Sequence, residues 1–187
     1  MGTLPEALRR AGAQDFKIII GLIDAAAQWL RGIGTDQWAR PWPSEADRDK
    51  RIQSALRAGK TWIAWDGQVP AATFTADPED SQAWPLGSLG DPAVYVSRLV
   101  VSRGYSGQGL GAWLLDWAAA RARRAYGARW LRVDVWTTNT ALHDYYKGLG
   151  FDFCGLCESI PDYPSAALFQ RPTQRVRRPG RLRFEEI

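Results

Sequence analysis

Residues 99–111 read Leu-Val-Val-Ser-Arg-Gly-Tyr-Ser-Gly-Gln-Gly-Leu-Gly. An apolar, β-branched run feeds a glycine-rich turn, and the turn opens an amphipathic helical pattern. Glycine lets the backbone approach a ligand closely. The first amides of a helix lack internal partners and lie at the positive end of its dipole. Such a terminus suits a dense anion such as a pyrophosphate. A second stretch runs from Asn139 to Gly150-Phe151 and places Tyr146 on a short helix behind a strand end. Other groups able to move protons are few: Asp134 on the polar side of a strand, Asp91 just before another strand, and His143, the single histidine. Cys154 and Cys157 stand in a Cys-x-x-Cys spacing. A metal site needs about four ligands, and a redox pair normally opens a helix near the start of a βαβ unit. Two reduced thiols in a strand are expected, with no metal.

These residues must be held by surrounding elements. A short strand is predicted over 8–11. Asp15 is the expected N-cap of a helix over 16–30, with Phe16, Ile19, Ile20, Ile23, Ala26, Ala27 and Leu30 on one face. Ser44 caps a second helix ending near Ala58. A hairpin follows, with strands over 61–65 and 69–76 around Asp66-Gly67. A strong strand covers 93–102, a helix 107–126, a strand 128–136, a short helix 139–147, and final strands 151–156 and 166–171. The helix 107–126 is expected to bury Leu110, Trp113, Leu114, Trp117, Ala118 and Ala125. This order predicts a mixed α/β (α+β) fold with a single central, mostly antiparallel sheet flanked by helices.

The chain has 187 residues, 45% hydrophobic and 24% charged, with net charge +4. The length is one domain's worth, assigned to residues 1–171, with an Arg-rich C-terminal tail over 172–187. No apolar run approaches the ~18 residues of a membrane span, and no secretory signal is visible, so a cytoplasmic protein is expected. From Arg171 onward, six arginines stand against Glu185 and Glu186, which accounts for the whole net charge. The body is neutral, so a general nucleic-acid footprint is not indicated.

The two chemistry-bearing stretches together resemble the GNAT superfamily of acetyl-CoA-dependent N-acetyltransferases. Its first motif is matched by Leu99, Val101, Gly107, Gly109, Leu110 and Gly111. Its second is matched by Asn139, Tyr146, Gly150 and Phe151. The resemblance is sharpest over 93–153 and extends to about 4–171. Ser106 stands where the family usually has Arg or Gln, and Arg103 where it often has Pro.

The resemblance implies that the Leu99, Val100 and Val101 backbone pairs with the pantetheine arm, one N–H polarising the thioester carbonyl. It implies that Ser106 and the amides of Gly107, Gln108, Gly109, Leu110 and Gly111 hold the pyrophosphate, and that Asn139 meets the pantetheine region. Tyr146 would donate a proton to the departing thiolate. Residues 93–102 lack the carboxylate that family members often use as base, so Asp134 is the first candidate, then Asp91, then His143. Trp38, Trp42 and Trp136 would line an acceptor site for a small-molecule amine or protein amino group. A homodimer is compatible with this reading.

Two alternatives stand beside it. Gly107-x-Gly109-x-x-Ala112 also fits a dinucleotide-binding turn, with Asp134 as the ribose-binding acid. That NAD-binding reading leaves Asn139, Tyr146 and Gly150-Phe151 unexplained. A non-catalytic CoA- or nucleic-acid-binding module would use the Arg-rich tail.

Overall fold

The computed structural model describes residues 5–79, 83–84 and 90–175. Among the described residues, seven strands and four helices follow one another. They are β1 (Ala7–Arg10), α1 (Phe16–Gly32), α2 (Glu45–Arg57), β2 (Thr61–Asp66), β3 (Val69–Asp77), β4 (Ala93–Val101), α3 (Leu110–Tyr126), β5 (Trp130–Val135), α4 (Thr140–Gly148), β6 (Asp152–Leu156) and β7 (Ala167–Pro172). Short 3-10 turns occupy Ala13–Asp15 and Arg103–Tyr105. The strands form one sheet in the order β1-β2-β3-β4-β5-β7-β6. The β1–β2, β2–β3, β5–β7 and β6–β7 pairs are antiparallel, and β4–β5 is parallel. The mixed, mostly antiparallel sheet flanked by helices is the architecture expected from the sequence.

By packing, the described chain divides into two compact units: residues 5–75 with 98–113, and residues 76–97 with 114–175. The core of the first joins Ala11, Ile19, Ile23, Ile52, Leu56, Ile63 and Val100. One core cluster of the second joins Ala83, Trp84, Ala93, Tyr95, Cys157 and Leu168.

Local chemistry sets most element ends. The Ser44 hydroxyl accepts from the Asp47 amide and starts α2, as its spacing predicts. Asp15 behaves differently from the expected cap. Its buried carboxylate accepts from the Gly12 amide at 2.9 Å and pairs with Arg9 at 3.1 Å, bracing the turn that precedes α1. Capping the helix itself would leave Arg9 without its anion.

Helix α3 also departs from expectation. Its buried stripe is Leu110, Leu114, Leu115, Ala118, Ala119 and Ala122, while Trp113 and Trp117 are half-buried and Ala125 is exposed. Both sets obey helical spacing. Small alanines can lie close beneath a sheet, where indole rings cannot fit, so the tryptophans occupy the rim.

In the second unit, a fully buried Arg171 on β7 donates to Asp116 of α3 at 2.6 Å and to the Leu149 carbonyl behind α4 at 3.1 Å. Its guanidinium also lies 4.9 Å from the Phe151 ring centre. Arg171, first of the basic run, is therefore a core residue. Thr173 still bonds the Ala128 carbonyl, at 2.7 Å. The rest of the expected tail, from residue 176, lies outside the described residues.

Removing one partner of such a pair leaves the other charge buried. Asp116→Ala should lower unfolding free energy by about 3–5 kcal/mol, while the apolar double replacement Asp116→Leu/Arg171→Met should recover most of it. Urea denaturation followed by circular dichroism measures both.

Candidate active site

In the first unit, β4 delivers the glycine-rich turn. Arg98 adopts φ 51°, a left-handed conformation within a strand. The β4–β5 register runs from Ala93↔Trp130 to Val96↔Val133, ahead of that residue. Past it, Val100 is buried and Leu99 and Val101 are half-buried. The Ser102 amide then bonds the Ala71 carbonyl of β3, at 2.8 Å.

Three contacts shape the turn itself. The Tyr105 hydroxyl donates to Asp66 at 2.8 Å, tying the turn to the end of β2, and this hydrogen bond raises the Tyr105 pKa. Gln108 Nε2 bonds the Gly104 carbonyl at 3.0 Å. The Trp113 amide bonds the Gly109 carbonyl at 3.0 Å, so the helical ladder starts there. Helix α3 thus begins at Leu110, three residues later than the pattern suggested. Gly107 and Gly109 stand at φ 76° and 80°, and a Cβ at either would meet no atom within 4 Å. Both therefore lie open where a ligand could approach. The Ser106 amide is used within the turn, bonding the Arg103 carbonyl at 3.2 Å; the amides of Gly107, Gln108 and Gly109 belong to the turn, and those of Leu110 and Gly111 to the first helical turn. Such a concavity of backbone N–H groups fits a pyrophosphate.

Also in this unit, Trp38 adopts φ 58° and packs against the Ile19–Ile52 core cluster. Trp42 is half-buried, with the Arg51 guanidinium 5.8 Å from its ring centre. The ring already faces a cation.

In the second unit, the end of β5 gathers most of the proton-handling candidates. Asp134, one residue from the strand end, accepts a hydrogen bond from the Tyr163 hydroxyl. The loop carrying Tyr163 is strapped to the end of β5. Thr137 donates to the Pro164 carbonyl through its amide (2.8 Å) and hydroxyl (2.9 Å), and its oxygen accepts from the Ala166 amide at 3.0 Å. Trp136 is buried. Asn139 caps α4, its side chain accepting from the Leu142 amide at 3.0 Å.

Two turns further along α4, Tyr146 is 7% exposed, with its ring edge-on to Phe151 at 5.3 Å and stacked on Phe169 at 6.3 Å. Burial, then Tyr145 and Asp134, push its pKa up, so the phenol keeps its proton across the neutral and alkaline range. The Asp134 contribution places that carboxylate within electrostatic reach of Tyr146.

The other candidates have structural partners. His143 Nε2 lies 2.9 Å from the Trp136 carbonyl and its ring 5.4 Å from Phe169, fastening α4 to β5. Asp91 pairs with Arg129 at 3.6 Å at the N-terminal ends of β4 and β5, the far end of that strand pair from Asp134. Cys154 is exposed and Cys157 buried, both as free thiols, and burial raises the Cys154 pKa. A redox pair requires the opposite shift.

The acetyltransferase (GNAT) family model matches residues 22–151. The chain belongs to the GNAT family of acetyltransferases. A GNAT enzyme of this kind is an acyl-CoA N-acetyltransferase, and the dinucleotide reading of Gly107–Ala112 falls away. The chain is 32% identical over 146 residues to an uncharacterized N-acetyltransferase, YesJ, of Bacillus subtilis, covering 76% of this chain and 79% of that one. A GNAT-family acetyltransferase structure from Listeria monocytogenes shares the fold, with TM-score 0.68 and 22% identity over 91% of this chain and 98% of that one. The yncA putative acetyltransferase of Salmonella typhimurium, solved with acetyl-CoA, has TM-score 0.61 and 17% identity over 92% and 95% of the two chains.

Sequence reasoning missed Tyr163, which bonds Asp134 across 29 residues. Only the proline-flanked Pro161-Asp162-Tyr163-Pro164 loop hinted at a fixed side chain. It also missed the Asp66–Tyr105 bond, which no local pattern announces.

At φ 80° any side chain strains the backbone, though Asp and Asn tolerate it better than most residues, so Gly109→Asp and Gly109→Asn should lower the unfolding temperature modestly and alike. The Asp charge in the N–H concavity should abolish acetyl-CoA binding in calorimetry, while the neutral Gly109→Asn should retain part of it.

Proposed function

We propose that the enzyme moves an acetyl group from acetyl-CoA to a primary amine by direct attack, with both substrates bound. When bound, acetyl-CoA supplies an activated acyl carbonyl and a thiolate leaving group. The open glycine turn supports binding: the amides from Gly107 to Gly111 donate to the pyrophosphate, beside the Ser106 side chain. The backbone of Leu99, Val100 and Val101 pairs with the pantetheine arm, and one of its N–H groups donates to the thioester oxygen. Asn139, through its place at the start of α4, orients the pantetheine region.

The observation that carries the catalytic reading is Tyr146, buried among Phe151 and Phe169 with its pKa raised. A phenol held protonated is a proton source at neutral pH, and it gives that proton to the departing thiolate. Asp134 takes the proton released by the attacking amine. Its hydrogen bond from Tyr163 orients the carboxylate. Trp38, Trp42 and Trp136 are the proposed acceptor contacts, apolar faces suited to an amine's carbon skeleton or its cation. The acceptor class is a small-molecule amine or a protein amino group.

Tyr146→Phe keeps the ring and its packing. It should lower kcat by about 10²–10⁴-fold, with acetyl-CoA affinity nearly unchanged. Steady-state thiol-release kinetics measure the first and calorimetry the second; an unchanged kcat with chemistry rate-limiting returns Tyr146 to a packing role. In wild type, the Tyr146 phenol stays protonated beyond pH 10, so kcat should show no alkaline fall from this group between pH 7 and 10. Asp134→Asn should lower kcat comparably and remove the acidic limb of the pH–rate profile.

A further inference from the structure

Arg103 stands at the mouth of the glycine turn. Its guanidinium carbon lies 3.9 Å from the ring centre of Trp29, on the outward side of α1. Its Nη1 donates to the Ser106 hydroxyl at 3.1 Å. All three residues belong to the same unit. Among the described residues no carboxylate pairs with Arg103. Elsewhere in the same unit, Arg9 pairs with Asp15, and Arg48 with Asp24, Glu45 and Asp49.

A cation held by an indole face and a neutral hydroxyl is oriented without being neutralised. Stacking fixes the guanidinium plane and leaves its edge donors available. Ser106, its hydrogen-bond partner, is the residue at which this chain lacks the long polar side chain usual for the family. It is also the residue next to Gly107, whose Cβ position is open.

We propose that Arg103, positioned by Trp29 and Ser106, is a phosphate-recognising residue that brings a cation to the glycine turn, where position 106 itself carries only a hydroxyl. The proposal rests on acetyl-CoA binding at this turn. The guanidinium edge would donate charge-assisted hydrogen bonds to a phosphate of the cofactor, adding charge and direction to the neutral backbone amides. Trp29 keeps 38% of its surface exposed with the guanidinium lying on its ring face, so the pair sits at the surface where a ligand can reach it.

The test is calorimetric titration of the purified full chain with CoA and with 3′-dephospho-CoA, at low and at high salt. Arg103→Gln should weaken CoA by about tenfold at low salt, the scale of one charged hydrogen bond. The loss should shrink in 1 M salt, where the Debye length is ~3 Å. A loss shared by both ligands assigns Arg103 to the pyrophosphate, and a loss confined to CoA assigns it to the 3′-phosphate; either supports the proposal. Trp29→Leu, which frees the guanidinium, should give a smaller loss in the same ligand. Unchanged affinity in Arg103→Gln overturns the proposal, as does a loss equally large at both salt concentrations, which would mark a structural role. Failure of wild type to bind either ligand would instead overturn the acetyl-CoA reading itself.

Discussion

A buried guanidinium organises the second unit around the end of α4. Arg171 has its charge matched by Asp116, and it spends another donor on the Leu149 carbonyl where α4 ends. The Phe151 ring then packs over it, and Phe151 meets Tyr146 edge-on. The position of the phenol therefore depends on a chain of contacts that begins at an ion pair on the far side of the helix. A buried pair of this kind has little net stabilising effect against apolar replacement, but it is costly to break. Its value here is geometric, since a salt bridge with fixed donors sets where α4 can end.

What was legible in the sequence was local. The cap at Ser44 and the Asp66-Gly67 turn each act within a few residues, and the elements they bound appear almost where expected. The glycine turn was legible for the same reason, because left-handed backbone at Gly107 and Gly109 is a property of single residues. The face of α3 was not. Periodicity of 3.6 residues admits neighbouring stripes, and side-chain bulk against the sheet chose the one with Ala119 and Ala122 over the one with Trp113 and Trp117.

The candidate site was legible in its residue types and less so in their partners. Tyr146 and Asp134 were identifiable, yet the environments that give them chemistry come from far along the chain. Tyr163 reaches Asp134 only because the β6–β7 connection is strapped to Thr137. Phe169 reaches Tyr146 only because β7 inserts between β5 and β6 in the sheet. Pairings of that range leave no periodic trace. His143 shows the converse: a residue type rich in chemical possibilities is used here to fasten a helix.

The turn after β4 is built before any ligand arrives. Tyr105 anchors it to Asp66, Gln108 closes it on Gly104, and the two glycines already hold their left-handed backbone. Glycine loses more conformational freedom on folding than any other residue, about 0.5–1 kcal/mol beyond alanine. In this chain that entropy is surrendered once, during folding, and is not charged again to each binding event. Association can then proceed as docking onto a rigid surface, with little rearrangement to slow capture and little reordering to oppose it. Release of the spent carrier is eased by the same rigidity, because the loop need not unfold to let it go.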